Sequence, residues 1–184
     1  MIKKTILGAA LALAAINPLL VASAEASAVG TVKTELSDSA ITIQVKALYL
    51  QSALIKSTAI KVTTKHHNVY LSGKVDTDLQ YEAAVSLALS VDSVADVKAH
   101  KLIVASSKAP IADTFITAKA QGIIMKEKLF GSKAVEFWPV SFETKDGVLF
   151  VTGKVESAEV RANIVKLLTS IKGLKSVNSS ITLS

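Results

Sequence analysis

Residues 146–155, DGVLFVTGKV, read as a strand entered through an Asp-Gly turn and closed by Gly-Lys-Val. Residues 67–75, HNVYLSGKV, write the same strand a second time, with Val75 standing where Val155 stands. Extending outward from the two strands, Ile60 to Val97 overlies Val140 to Val177 without a gap, at a constant shift of 80 positions. Thr64, Lys65, Gly73, Lys74, Val75, Val85, Leu87, Ser90 and Val97 recur as Thr144, Lys145, Gly153, Lys154, Val155, Val165, Leu167, Ser170 and Val177. Val69, Tyr70 and Leu71 stand opposite Leu149, Phe150 and Val151, so apolar character is kept where identity is not. This is a tandem duplication.

The periodicity changes in the same order inside each copy. Asp38 leads Ile41, Val45, Leu48 and Ala53, and Asp113 leads Ile116, Ala120, Ile123 and Ile124, both at helical spacing. Alternation takes over in IKVTTKHHNVYLSGKV and VSFETKDGVLFVTGKV, which predict hairpins. Helical spacing returns with Ala84, Leu87, Ala88 and Val91 and with Ile164, Leu167, Leu168 and Ile171. Thr77 and Gln80 predict a capping box for the first of these helices; Ser157 and Glu159 occupy the capping turn of the second, and Gly173 is expected to end it. An alternating tail closes each copy, Val97 to Val104 and Val177 to Leu183. The predicted fold is therefore α+β: two tandem αββαβ units, each a three-stranded mixed sheet with two helices packed on one face. The expected organisation is a signal peptide over 1–24, an N-terminal segment over 25–34, a first domain over 35–104, a linker over 105–110 and a second domain over 111–184. A linker of small and polar residues that short keeps the domains in contact.

Composition agrees with a globular chain of modest domains: 184 residues, 50% hydrophobic and 20% charged, with a formal net charge of +6. The first residues place Lys3 and Lys4 before an apolar run and end in two small-x-small sites, Ala22-Ser23-Ala24 and Ala26-Ser27-Ala28. This layout predicts a cleavable signal peptide, cut after Ala24 or Ala28, and export to the periplasm. A membrane anchor is the alternative, disfavoured by Pro18 and the small residues after it. Cysteine is absent, so stability must come from buried apolar surface, and no thiol is present to carry a lipid.

The unit order, the hairpin KDGVLFVTGKV, and the close IKGLKSVNSSI resemble the BON domain, a module named for an osmotically induced periplasmic protein and for nodulation proteins. The family pattern favours glycine in the hairpin and after the last helix. The second copy carries these as Gly147 and Gly173, whereas the first has His67 and Ser93. The resemblance implies a non-enzymatic protein that binds phospholipid surfaces and supports the cell envelope under osmotic stress. It also allows a periplasmic chaperone or assembly factor holding outer-membrane or secreted protein clients.

The residues themselves offer little for catalysis. His66 and His67, as strand neighbours, point to opposite faces and could converge on a metal only if the turn folds them back, so they are expected to be solvated turn residues; His100 stands alone, and no G-x-S-x-G elbow exists. The Gly73-Lys74 and Gly153-Lys154 pairs lack the upstream glycine of a phosphate loop. No catalytic residue, metal site or cofactor is expected. Nucleic acid is not an expected partner either, because the positive charge is spread along an exported chain. The candidate lipid-binding set lies in IIMKEKLFGSKAVEFWP: Lys126, Lys128, Phe130, Lys133 and Trp138, with Lys119 a further two turns back. Cations beside rings suit an anionic headgroup region. Lys119 and Lys126 share one side of their helix and are expected to face outward, opposite Ile116, Ala120 and Ile123.

Overall fold

A computed structural model describes residues 35–130 and 139–184, except for the side chains of Ser57, Leu129 and Phe130. Helix α1 (Asp38–Gln51) is followed by a single 3-10 turn (Ser57–Ala59), strands β1 (Ile60–Lys65) and β2 (Asn68–Thr77), helix α2 (Asp78–Ser90) and strand β3 (Asp96–Ser106). The order then repeats as α3 (Ile111–Phe130), β4 (Val140–Lys145), β5 (Val148–Val155), α4 (Ala158–Leu168) and β6 (Ser176–Leu183). Each unit is αββαβ, with β1 antiparallel and β3 parallel to β2, and β4 antiparallel and β6 parallel to β5. The predicted fold class is the observed one.

Alternation decides which face each strand buries. In β1 and β2, Val62, Val69, Leu71 and Val75 point inward against Ile41, Val45 and Tyr49 of α1 and Ala84, Val85 and Ala88 of α2. In the second unit Leu149, Val151 and Val155 meet Ile116, Ala120 and Ile124 of α3 and Ile164 and Leu168 of α4. Gly73 and Gly153 sit at φ +121° and +146°, and a Cβ on either would come within 2.2 Å of the carbonyl oxygen of Ala59 or Pro139. Their recurrence across the duplication is thus a packing requirement of the hairpin's far end, where the chain entering β1 or β4 crosses.

The helix starts follow their capping residues. Ser37, Thr77 and Ser157 each accept a hydrogen bond from the backbone N–H three residues on. The Gln80 side chain reaches back to the N–H of Asp76, not to that of Thr77, so the box closes one residue early. Helix α4 ends at Leu168, before Gly173, which supplies a φ of +91° in the loop beyond.

The two units pack together, because Glu35 to Ser184 forms one compact body. The joint is α2 against α3. Gly122 permits it: a Cβ there would lie 2.8 Å from the Ser86 oxygen and 2.8 Å from the Leu89 Cβ.

Candidate functional site

Three surfaces bear on function: the hairpin turns, the α2–α3 joint, and the sheet faces that no helix covers.

The turns are tight two-residue reversals with positive φ at both central positions, His66 (+49°) and His67 (+60°) in the first unit and Asp146 (+54°) and Gly147 (+79°) in the second. The leading aspartate of each unit grips its turn. Asp38 accepts from the N–H groups of His66 and His67 at 2.9 and 2.8 Å, and Asp113 accepts from those of Asp146 and Gly147 at 2.8 and 2.8 Å. The His67 N–H, with that of His66, holds the Asp38 carboxyl below its ordinary range. A second tie repeats one turn along each helix, Thr42 to Thr64 at 2.7 Å and Thr117 to Thr144 at 2.8 Å. Both histidines are therefore turn residues. Among the described residues no group of three or more His, Cys, Asp or Glu is placed to hold a metal ion.

The predicted lipid-contact residues divide. Lys119 is buried at 5% exposure, its ammonium 2.6 Å from Asp96 of the first unit and 4.7 Å from the centre of the Phe115 ring. Lys126 is half-buried and donates to the Val94 carbonyl at 2.6 Å. The two do share one side of α3, as their spacing requires, but that side does not face outward. It faces α2, because a second helix covers what a one-sided reading of α3 leaves to solvent. Lys128 is exposed on the last turn. Lys133 and Trp138 lie outside the described residues, as does the side chain of Phe130.

Asp96 is the centre of the joint's charge. Lys98 reaches it at 2.5 Å from the far side of Lys119. Burial pushes the Asp96 carboxyl up, but the hydrogen bonds from Lys119 and Lys98 outweigh it and leave the group below the usual range. Phe115 meets Tyr81 edge-on with ring centres 6.4 Å apart.

The sequence reading put both helices of a unit on one face of its sheet, but it missed the cations that the open face of the first sheet gathers. Outward positions are Lys61, Thr63 and Lys65 on β1 and Tyr70, Ser72 and Lys74 on β2. A bulge in β3 moves the register from Tyr70↔Lys98 to Ser72↔Lys101, so Lys98, Lys101 and Ile103 all join that face. Tyr70 is 40% exposed and Ile103 64%. The carboxylates at its ends are already occupied, Asp76 by Lys56 at 2.9 Å and Asp96 as described. On the second sheet the corresponding face presents Lys145 and Lys154 with Glu143, Thr152, Asn178 and Ser180, and Phe150 as its exposed ring. The signal was present in the alternation of IKVTTK, where every second residue after Ile60 is polar and two are lysine. The bulge was invisible, so the lysines of β3 could not be assigned to it. Among the described residues no helix is long and apolar enough to cross a membrane.

The sequence is 34% identical over 155 residues to Osmotically-inducible protein Y of Escherichia coli (strain K12), an alignment covering 84% of this chain and 77% of that protein. Two solved structures of CdsD, a structural protein of the type III secretion system of Chlamydia trachomatis, align over 81% of this chain and 68% and 64% of theirs. Their identities are 16% and 17% and their TM-scores 0.31 and 0.32, too loose a likeness to say anything of this chain. The BON domain family model matches twice, over residues 37–106 and 113–184. The chain accordingly belongs to the BON domain family, of which it holds two domains in tandem.

Proposed function

We infer that this is an exported, non-enzymatic protein that binds anionic phospholipid membrane peripherally and supports the cell envelope under osmotic stress. One observation carries the reading: the uncovered face of the first sheet sets Lys61, Lys65, Lys74 and Lys101 around Tyr70 and Ile103, with Lys98 held by Asp96. Lysine beside an exposed ring and a branched aliphatic chain is the chemistry of a headgroup boundary, where ammonium meets lipid phosphate and the apolar group sits at the acyl edge. Export is supported by Lys3, Lys4 and the apolar run ending at Ala24, and periplasmic residence follows from it. The osmotic role is supported by the name of the Escherichia coli relative.

Each lysine near an anionic surface contributes about 1 kcal/mol. A face of this kind gives reversible attachment that salt weakens, since exposed charges are screened beyond about 8 Å at physiological ionic strength. The exported chain, residues 25–184, should float with vesicles rich in phosphatidylglycerol at low salt and release at high salt. Failure to float at low salt overturns the reading. If such a chain instead suppresses the aggregation of an unfolded outer-membrane client without lipid, client holding replaces it.

A further inference from the structure

Helix α1 carries an apolar ridge that its counterpart in the second unit lacks. Ile43 is 67% exposed and Leu50 75%, with Ala47 between them and Leu54, 45% exposed, in the turn that follows. Positions 43, 47 and 50 fall on one line along the helix, and Leu54 lies beyond its end at Gln51. Aligning Asp38, Ile41 and Val45 with Asp113, Ile116 and Ala120 places Ile43, Ala47 and Leu50 where α3 has Ala118, Gly122 and Met125. That line of α3 is covered by α2, and Ala118 is fully buried. Where α2 lies on the line, positions 118 and 122 are small, whereas the exposed line of α1 carries Ile43 and Leu50 on either side of Ala47.

A second copy of the chain cannot cover the ridge in the way α2 covers α3. Ala47 carries the Cβ for which Gly122 has no room, Ile43 is bulkier than Ala118, and α4 presents Arg161 and Lys166 where α2 has Tyr81 and Ser86. The ridge is also flanked by cations. Lys46 and Lys61 line the shallow groove between α1 and β1 together with Leu50, Tyr49 and Val62. Two such ridges brought together would oppose lysine to lysine, whereas an anionic bilayer offers phosphate to the lysines and acyl chain to the ridge. Lys61 stands on β1 and points to the open side of the sheet, whereas the ridge lies on the side of α1 turned away from Ile41, Val45 and Tyr49 and so away from the sheet; the groove, with Lys46 and Leu50, is where the two meet.

We propose that α1 is the element by which this protein enters the membrane boundary: Ile43 and Leu50 sink among the acyl chains of an anionic leaflet while Lys46 and Lys61 hold lipid phosphate. This rests on the peripheral-membrane reading above and places its apolar contact in the first unit. The flanking lysines govern approach, and the ridge governs residence.

The test uses residues 25–184 and vesicles of phosphatidylglycerol and phosphatidylcholine. Ile43→Gln with Leu50→Gln should weaken binding about 30-fold, whereas Leu79→Gln, an exposed leucine on α2 at 58%, should leave it unchanged. Both ridge side chains are exposed, so the double variant should keep the far-UV spectrum and unfolding midpoint of the parent. Because the chain has no cysteine, Leu50→Cys can carry a polarity-sensitive fluorophore, whose emission should shift to the blue on anionic vesicles and not on neutral ones. Equal flotation of the ridge variant and the parent, or a dye that ignores lipid, overturns the assignment while leaving the membrane reading intact. A parent that does not float removes both. A dimer in sedimentation that the ridge variant abolishes, with flotation unaltered, gives the ridge to a second copy and overturns the assignment as well.

Discussion

Replacing Asp113 should cost the second unit more than any other single polar substitution in it. The carboxylate is 6% exposed and receives two backbone N–H groups at 2.8 Å, that of Gly147 buried and that of Asp146 partly so. A hydrogen bond to a charged acceptor is worth about 1.5–3 kcal/mol net, and a buried donor left without a partner costs about 1–3 kcal/mol. In Asp113→Ala the Asp146 N–H regains water and the Gly147 N–H does not. The expected loss is therefore about 2–4 kcal/mol. Asp113→Asn gives a sharper test. Its amide offers one acceptor oxygen and turns an NH2 group toward the second N–H, so it should recover less than half of the loss despite nearly unchanged shape. Urea unfolding of residues 25–184, followed by far-UV circular dichroism, measures both. A loss below about 0.5 kcal/mol for alanine, or an asparagine variant as stable as the parent, would refute the claim that the aspartate holds the turn through its charge.

Four further outcomes follow from the same geometry. His67 occupies φ +60° where the second unit has glycine, so His67→Gly should stabilise by about 0.5 kcal/mol, the left-handed cost less the added chain entropy, visible as a Tm rise of about 1–2 °C. Ser93→Gly at φ +62° should gain nothing, because the Ser93 hydroxyl accepts from the Leu36 N–H at 3.0 Å and glycine loses that bond. Gly122→Val should force α2 and α3 apart against the Ser86 carbonyl, at about 1–3 kcal/mol, and a single unfolding transition that splits in two would show the units uncoupled. The Asp96 carboxyl is held below its ordinary value, so its contribution is present above the unfolded value of about 3.9 and is lost as pH falls through the lower folded one. The acid-side loss of stability should shrink in Asp96→Asn, and an unchanged acid profile would contradict the assignment.

Fold and site differ in how far the sequence discloses them. The αββαβ order, the hairpins and the inward residues of every strand are local matters of period and turn chemistry, and each copy repeats them. Val69, Leu71, Leu149 and Val151 were legible because alternation alone sets their face. Lys119 was misplaced for the opposite reason. Its helix is wetted on neither of two sides, and the second covering layer, α2, is separated from it by the whole of β3 and the connection after it. Periodicity marks one buried stripe and is silent about a second made by small residues. Ala118 and Gly122 give the α2-facing side of α3 little hydrophobic weight, although they are what lets the helices approach. The lysines of β3 were missed because the bulge between Lys98 and Lys101 shifts the alternation, and nothing in DVKAHKLIVAS announces it.

The duplication also explains why the two copies cannot serve alike. Once α3 lies on α2, the leading helix of the second unit is enclosed and the leading helix of the first is not, although both descend from one sequence. Small residues at 118 and 122 suit that enclosure: Ala118 is fully buried, and a Cβ at 122 would already meet the Ser86 backbone. No such limit acts at 43 and 50, where side chains point into solvent and a large aliphatic group gains nothing from the fold. Ile43 and Leu50 are thus unexplained by stability, and exposed apolar surface of this size calls for a contact outside the chain. On the membrane reading, Lys46 and Lys61 beside Leu50 set the charge of that contact. The leading helix of the second unit is enclosed and that of the first is exposed, and the membrane contact proposed above falls on the unit that has His67 and Ser93 where the second has Gly147 and Gly173.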